Sequence, residues 1–168
     1  MKGIVLFCIW WNGMCPAALQ QLRLDFYAAE KSKTSVNVLK RDVESSSDIG
    51  AALLLGYKGI AEILLCKYLN DPFGKLSHFR TGKKQLENAI AADDHNVELH
   101  FLRYTVQTNV PVFLGYHSDE DADRQLLMNY LLSGDKADSG LYTMVMEYML
   151  RNGSCSKPEL QQLKKIKG

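Results

Sequence analysis

The sequence predicts an all-α protein of about seven or eight helices, with short loops and consecutive antiparallel hairpins. Three observations lead there. Apolar residues recur every third or fourth position through most of the chain. The segments they define begin and end at Gly, Pro, Asn, Asp or Ser. No stretch alternates apolar and polar residues convincingly with the period of two expected of a half-buried strand.

Size and composition fit one such domain. The chain has 168 residues, 46% of them apolar and 23% charged, enough apolar surface to bury a core. Twenty Lys and Arg stand against 19 Asp and Glu. That balance argues against nucleic acid or an anionic membrane surface as a partner.

Residues 1–18 read as a signal peptide. Lys2 is followed by the apolar run Gly3 to Trp11, and the small residues Ala17 and Ala18 follow Pro16. The run is too short for a membrane span, which needs roughly 20 apolar residues. Cleavage leaves no stable span and a single helical domain at residues 19–168, exported to the periplasm or the medium. It also removes Cys8 and Cys15, leaving Cys66 and Cys155 as a possible disulfide pair. The apolar setting of Cys66 favours a small buried side chain.

The helices follow in order. Ala18, Leu22, Phe26 and Tyr27 mark one from about Ala17 to Lys31. Val36, Val38, Leu39 and Val43 mark a second, and Ser45 to Asp48 a loop able to supply an N-cap. Ile49 to Leu69 is apolar on most faces and reads as the buried central helix. Its Gly56 and Gly59 predict either a bend or the close approach of another backbone. Asp71-Pro72 starts the next helix, which runs to about Ala92 with a kink expected at Gly82. Val97 to about Asn109 is another, stopped before Pro111. Val112 to Tyr116 is an apolar loop. Ser118 is expected to cap the following helix, whose first turn carries Glu120 and Asp121. Leu141, Val145, Tyr148 and Met149 define the next helix. Ser156-Lys157-Pro158-Glu159 is a capping box for the last.

Residues 84–99 resemble the tetratricopeptide repeat. Ala89-Ile90 matches its small-Ile pair and Asn96-x-Glu98 its turn into the next helix, with Asp94 where proline is usual. No period of about 34 residues follows, and arrays need about three repeats. The stretch from Leu53 to Tyr116 resembles a group of uncharacterised exported bacterial proteins. Leu55-Gly56-Tyr57-Lys58-Gly59, Asn70-Asp71-Pro72-Phe73, Gly82-Lys83-Lys84, Phe101-Leu102-Arg103 and Phe113-Leu114-Gly115-Tyr116 carry that likeness. It implies export and an all-helical fold, and no activity.

No catalytic motif is present. Asp119, Asp121 and Asp123 open like a calcium loop, but Arg124 and Tyr130 replace the required Gly and Glu. His78, His95, His100 and His117 lack metal-ligand spacing. Neither a metal nor a cofactor is implied. Asn152-Gly153-Ser154 is a glycosylation tripeptide. His100, Arg103 and Gln107 share one helix face, which is either solvated or lines a groove. Lys58 and Glu62 are an i,i+4 pair in the most apolar helix and are expected to pair with neighbours such as Arg103 or to face a cavity.

Two functions follow. The first is a non-enzymatic module binding a protein or peptide between helix pairs, with Tyr57, Lys58, Glu62, His100, Arg103, Gln107 and Tyr116 as candidate contacts. The alternative is a small-ligand or enzymatic pocket lined by Lys58, Glu62, Arg103 and Tyr116.

Overall fold

The computed structural model of the protein describes residues 17–151 and 154–167. Among these residues there are eight α-helices and no strand. They are α1 (Ala17–Ala29), α2 (Lys33–Ser45), α3 (Ala51–Leu65), α4 (Pro72–Ala92), α5 (Val97–Gln107), α6 (Glu120–Ser133), α7 (Ser139–Arg151) and α8 (Lys157–Lys167). Two 3-10 turns, Cys66–Tyr68 and Val112–Leu114, lie in the connections. The leader up to residue 16, with Cys8 and Cys15, and Asn152 and Gly153 of the glycosylation tripeptide lie outside the described residues.

Side-chain caps set several boundaries. Ser32 accepts from the Ser35 amide at 3.1 Å and starts α2. Asp71 accepts from the Phe73 and Gly74 amides, and Pro72 supplies the first residue of α4. Asn96 accepts from the Glu98 and Leu99 amides at the head of α5. Ser156 and Glu159 exchange bonds in both directions, completing the capping box of α8. The cap expected at Ser118 is not formed. Asp119 occupies the N-cap of α6 without a side-chain cap bond, and the Ser118 hydroxyl donates to the Asp119 carboxylate at 2.6 Å. The Ile49–Leu69 segment is also shorter as an α-helix than its apolar run. Its last turn tightens to 3-10 at Cys66, and Leu69 is extended.

The α3 and α4 helices form the most intimate pair. They run antiparallel: Gly59 meets Gly82, Glu62 meets His78, and Cys66 meets Lys75. Two facing glycines let the backbones touch, so the small residues serve close approach. The kink expected at Gly82 is replaced by one unbroken α-helix from Pro72 to Ala92. Ala89 lies about two turns further along α4, against Gly56.

The most enclosed helix is α5 rather than α3. Every residue from Glu98 to Gln107 is buried, whereas Ala51, Ala52, Leu54, Leu55 and Lys58 of α3 are partly or fully exposed. The solvated reading of the His100–Arg103–Gln107 face is therefore corrected, because α6 covers α5. The packing is uneven: α1 with α2, α3 with α4 and α5 with α6 are close pairs, while α4 and α5 meet lightly. This packing does not show a tetratricopeptide-like stack of equivalent hairpins. Cys66 and Cys155 are both free thiols, so the disulfide considered for them is not formed.

Candidate functional site

Three groups of charged side chains are buried between the helices. In the first, Arg23 of α1 reaches Glu98 of α5 through two bonds of 2.9 and 2.7 Å. It also reaches Asp138, just before α7, through two of 2.9 and 2.7 Å. Tyr57 of α3 donates its hydroxyl to the same Glu98. Burial works against the Arg23 charge, but the bonds and charges of both carboxylates outweigh it and raise its pKa. Burial, then the Glu98 charge, pushes the Tyr57 hydroxyl well above its ordinary value.

The second group joins α4, α5, α6 and the turn before α6. Arg103 holds Asp123 bidentately at 2.7 and 2.8 Å and donates to Glu87 at 3.1 Å. Tyr116 donates to the other Glu87 oxygen, and the Lys83 ammonium lies 4.5 Å from the Tyr116 ring centroid. His100 lies between the Asp123 carboxylate at 2.7 Å and the Asp94 carbonyl at 2.8 Å. Both partners accept, an arrangement that favours a proton on each ring nitrogen, although the Arg103 guanidinium beside Nδ1 opposes the charge. The Asp123 bond accordingly raises the His100 pKa, against burial.

The third group is Glu62 of α3, bonded to Lys40 of α2 at 2.7 Å and to His78 of α4 at 2.6 Å. Burial would raise its carboxyl, but those two bonds prevail and lower it.

Of the residues singled out from sequence, Arg103 and Tyr116 come together through Glu87, with His100 beside them. Tyr57 belongs to the Arg23 group. Glu62 pairs with Lys40 and His78, not with Lys58 or Arg103, and Lys58 is exposed. Gln107 is fully buried, and neither its amide nitrogen nor its oxygen has a partner. Asp123, met in the sequence only through its calcium-loop-like spacing, is the buried hub of its group.

A groove opens on the other side of α5. It has a volume of about 640 Å³ and lies between α1, α3, α4, α5 and the 3-10 turn Val112–Leu114. Phe26, Ile60, Ile63, Leu64, Phe79 and Val106 form its inner wall, and Glu30, Lys67, Lys75 and Asn109 add polar groups. Val112 and Phe113 of the 3-10 turn are 82% and 85% exposed, and Phe73 of α4 is 84% exposed. None of the seven sequence-derived site residues lines this groove. Sequence reasoning read its wall as ordinary core. The one outward sign was the apolar loop Val112–Leu114, which no helix stripe absorbs.

Cys66 also lines the groove, half-buried. Its thiol donates to the Lys75 carbonyl at 3.2 Å, and burial pushes its pKa up. A raised pKa keeps the thiol protonated and makes it a poor nucleophile at neutral pH.

No protein-family model, curated protein or solved structure matches the chain. The site is therefore read from its own geometry.

Proposed function

We propose that the protein binds a small, largely apolar ligand in the groove between α1, α3, α4 and α5. The observation that carries this reading is the groove itself. Its volume of about 640 Å³ falls within the roughly 300–1,000 Å³ typical of ligand pockets. Apolar side chains dominate its wall, with a few polar groups at hand to orient a guest. A ligand there supplies the dispersion contacts that an open apolar wall lacks. The first two charged groups support this reading indirectly, because their bonds hold α5 as a fixed wall. The groove's confined volume favours a small molecule over the peptide-binding module.

The test is titration of the full chain with Nile red, an uncharged dye that brightens in apolar sites. Saturable one-site binding is expected, weakened about tenfold by Leu76→Arg, which puts a charge on the groove wall. A folded wild-type protein that shows no saturable binding overturns the reading.

The proposal places the protein outside the cytoplasm, on the pattern of residues 1–18. Sequencing the N-terminus of exported protein is expected to give a start near Ala18. An intact Met1 would overturn that part.

A further inference from the structure

We infer that the ligand is a single-chain zwitterionic amphiphile, its tail in the apolar groove and its head in an adjoining polar cavity. This rests on the groove reading above. The second cavity, of about 530 Å³, lies at the junction of α1 and α7. Glu30 and Asn109 line both cavities, so the two lie on either side of that pair. The two cavities adjoin there, and a molecule long enough to pass that pair would reach from one into the other.

The polar cavity has balanced charge. Glu30 and Lys31 line it from the end of α1 and Glu147 and Arg151 from α7, so each side brings one charge of each sign. A purely anionic head would meet two carboxylates, and a purely cationic head two cations. A head carrying both charges satisfies both sets. Arg151 bonds Glu147 at 2.9 Å, but Arg151 is exposed and Glu147 partly so. Exposed pairs of this kind are worth about 0–1 kcal/mol, so the guanidinium is free to turn to a phosphate.

The other walls suit the cationic end. Tyr27 and Tyr148 contribute aromatic rings, and aromatic faces attract quaternary ammonium groups. Tyr148 is held in place by a 2.6 Å bond with Thr108 and by a 2.8 Å bond from Asn109. A phosphocholine head meets these requirements: phosphate toward Lys31 and Arg151, trimethylammonium toward the tyrosines and carboxylates. The ligand class is thus that of a lysophosphatidylcholine.

The experiment is calorimetric titration of the full chain with three monomeric probes of one chain length: dodecylphosphocholine, dodecanoate and dodecyltrimethylammonium. Dodecylphosphocholine is expected to bind at least about fivefold tighter than either of the others, and Arg151→Glu to weaken it about tenfold. Equal binding of all three, tighter binding of a singly charged probe, or no effect of Arg151→Glu overturns the head assignment. The groove reading survives those outcomes if Nile red still binds. Failure of every probe together with Nile red overturns both.

Discussion

Gly59 of α3 and Gly82 of α4 face each other backbone to backbone. A Cβ on Gly59 would stand 2.7 Å from the Gly82 carbonyl oxygen, and one on Gly82 would come closer still to the Gly59 oxygen. Neither contact can relax by rotating a side chain. Gly82→Ala is therefore expected to destabilise the protein by about 1–3 kcal/mol, even though alanine favours the helix by about 1 kcal/mol. Gly50→Ala, with nothing within 4 Å of the added carbon, is the control and stays within about 0.5 kcal/mol. Urea denaturation measures both.

Arg103→Met leaves Asp123, whose side chain is 1% exposed, buried without its guanidinium. The expected loss is about 3–5 kcal/mol in urea denaturation. Adding Asp123→Leu is expected to recover part of it, because two apolar side chains need no partner. A loss under about 1 kcal/mol for the single variant would show that His100 alone sustains the carboxylate.

The His100–Asp123 bond predicts a direction of pH dependence. Its pKa lies above the ordinary 6.5 because of the Asp123 bond. Its contribution is complete below about 6.5 and disappears as pH rises through the folded value. Wild-type stability is thus expected to fall on the alkaline side of 6.5, and His100→Gln to remove that component. Glu62 acts at the other end: its lowered pKa gives stability above the ordinary 4.5 that is lost on acidification. Equilibrium unfolding across this pH range, with His100→Gln and Glu62→Gln, separates the two.

Cys66 offers a reporter for the groove. In a Cys8→Ser, Cys15→Ser, Cys155→Ser background, which leaves it the sole thiol, it is expected to react with a disulfide reagent at pH 7 more slowly than an unperturbed thiol, since its pKa is raised. Bound Nile red or dodecylphosphocholine is expected to slow it further, because the thiol lies in the groove wall. A rate indifferent to saturating ligand would place the ligand elsewhere.

Gln107 is an apolar position in disguise. Its amide is buried and unpartnered, so Gln107→Leu removes a desolvated polar group without orphaning another. The variant is expected to fall within about 1 kcal/mol of wild type or to exceed it, as measured by denaturation.

The helix boundaries were largely legible because their signals are local. Asp71-Pro72 and Asp93 bracket α4, and Ser156 with Glu159 opens α8. The status of α5 was not legible. His100 and Arg103 have the look of a solvated face, and Glu98 that of an ordinary acid one turn into its helix, yet each is satisfied by a partner outside the helix, Arg23 or Asp123. Nothing within a helix-length window identifies such a partner. The same limit hid the groove. Ile60, Ile63 and Phe79 are ordinary core residues by type. Only the way α3 and α4 sit against α1 and the Val112–Leu114 turn leaves space beside them.

Arg23 has a consequence for synthesis. Its partners Glu98 and Asp138 lie 75 and 115 residues downstream. At about 5–20 residues per second, α1 waits roughly 6–23 s on the ribosome for Asp138 to be made. During that interval Leu22 and Phe26, fully or almost fully buried in the finished protein, have no completed core to enter. The first of the described helices to be translated is thus among the last of them to be locked, and it depends on whatever shields nascent apolar surface until Asp138 has been added.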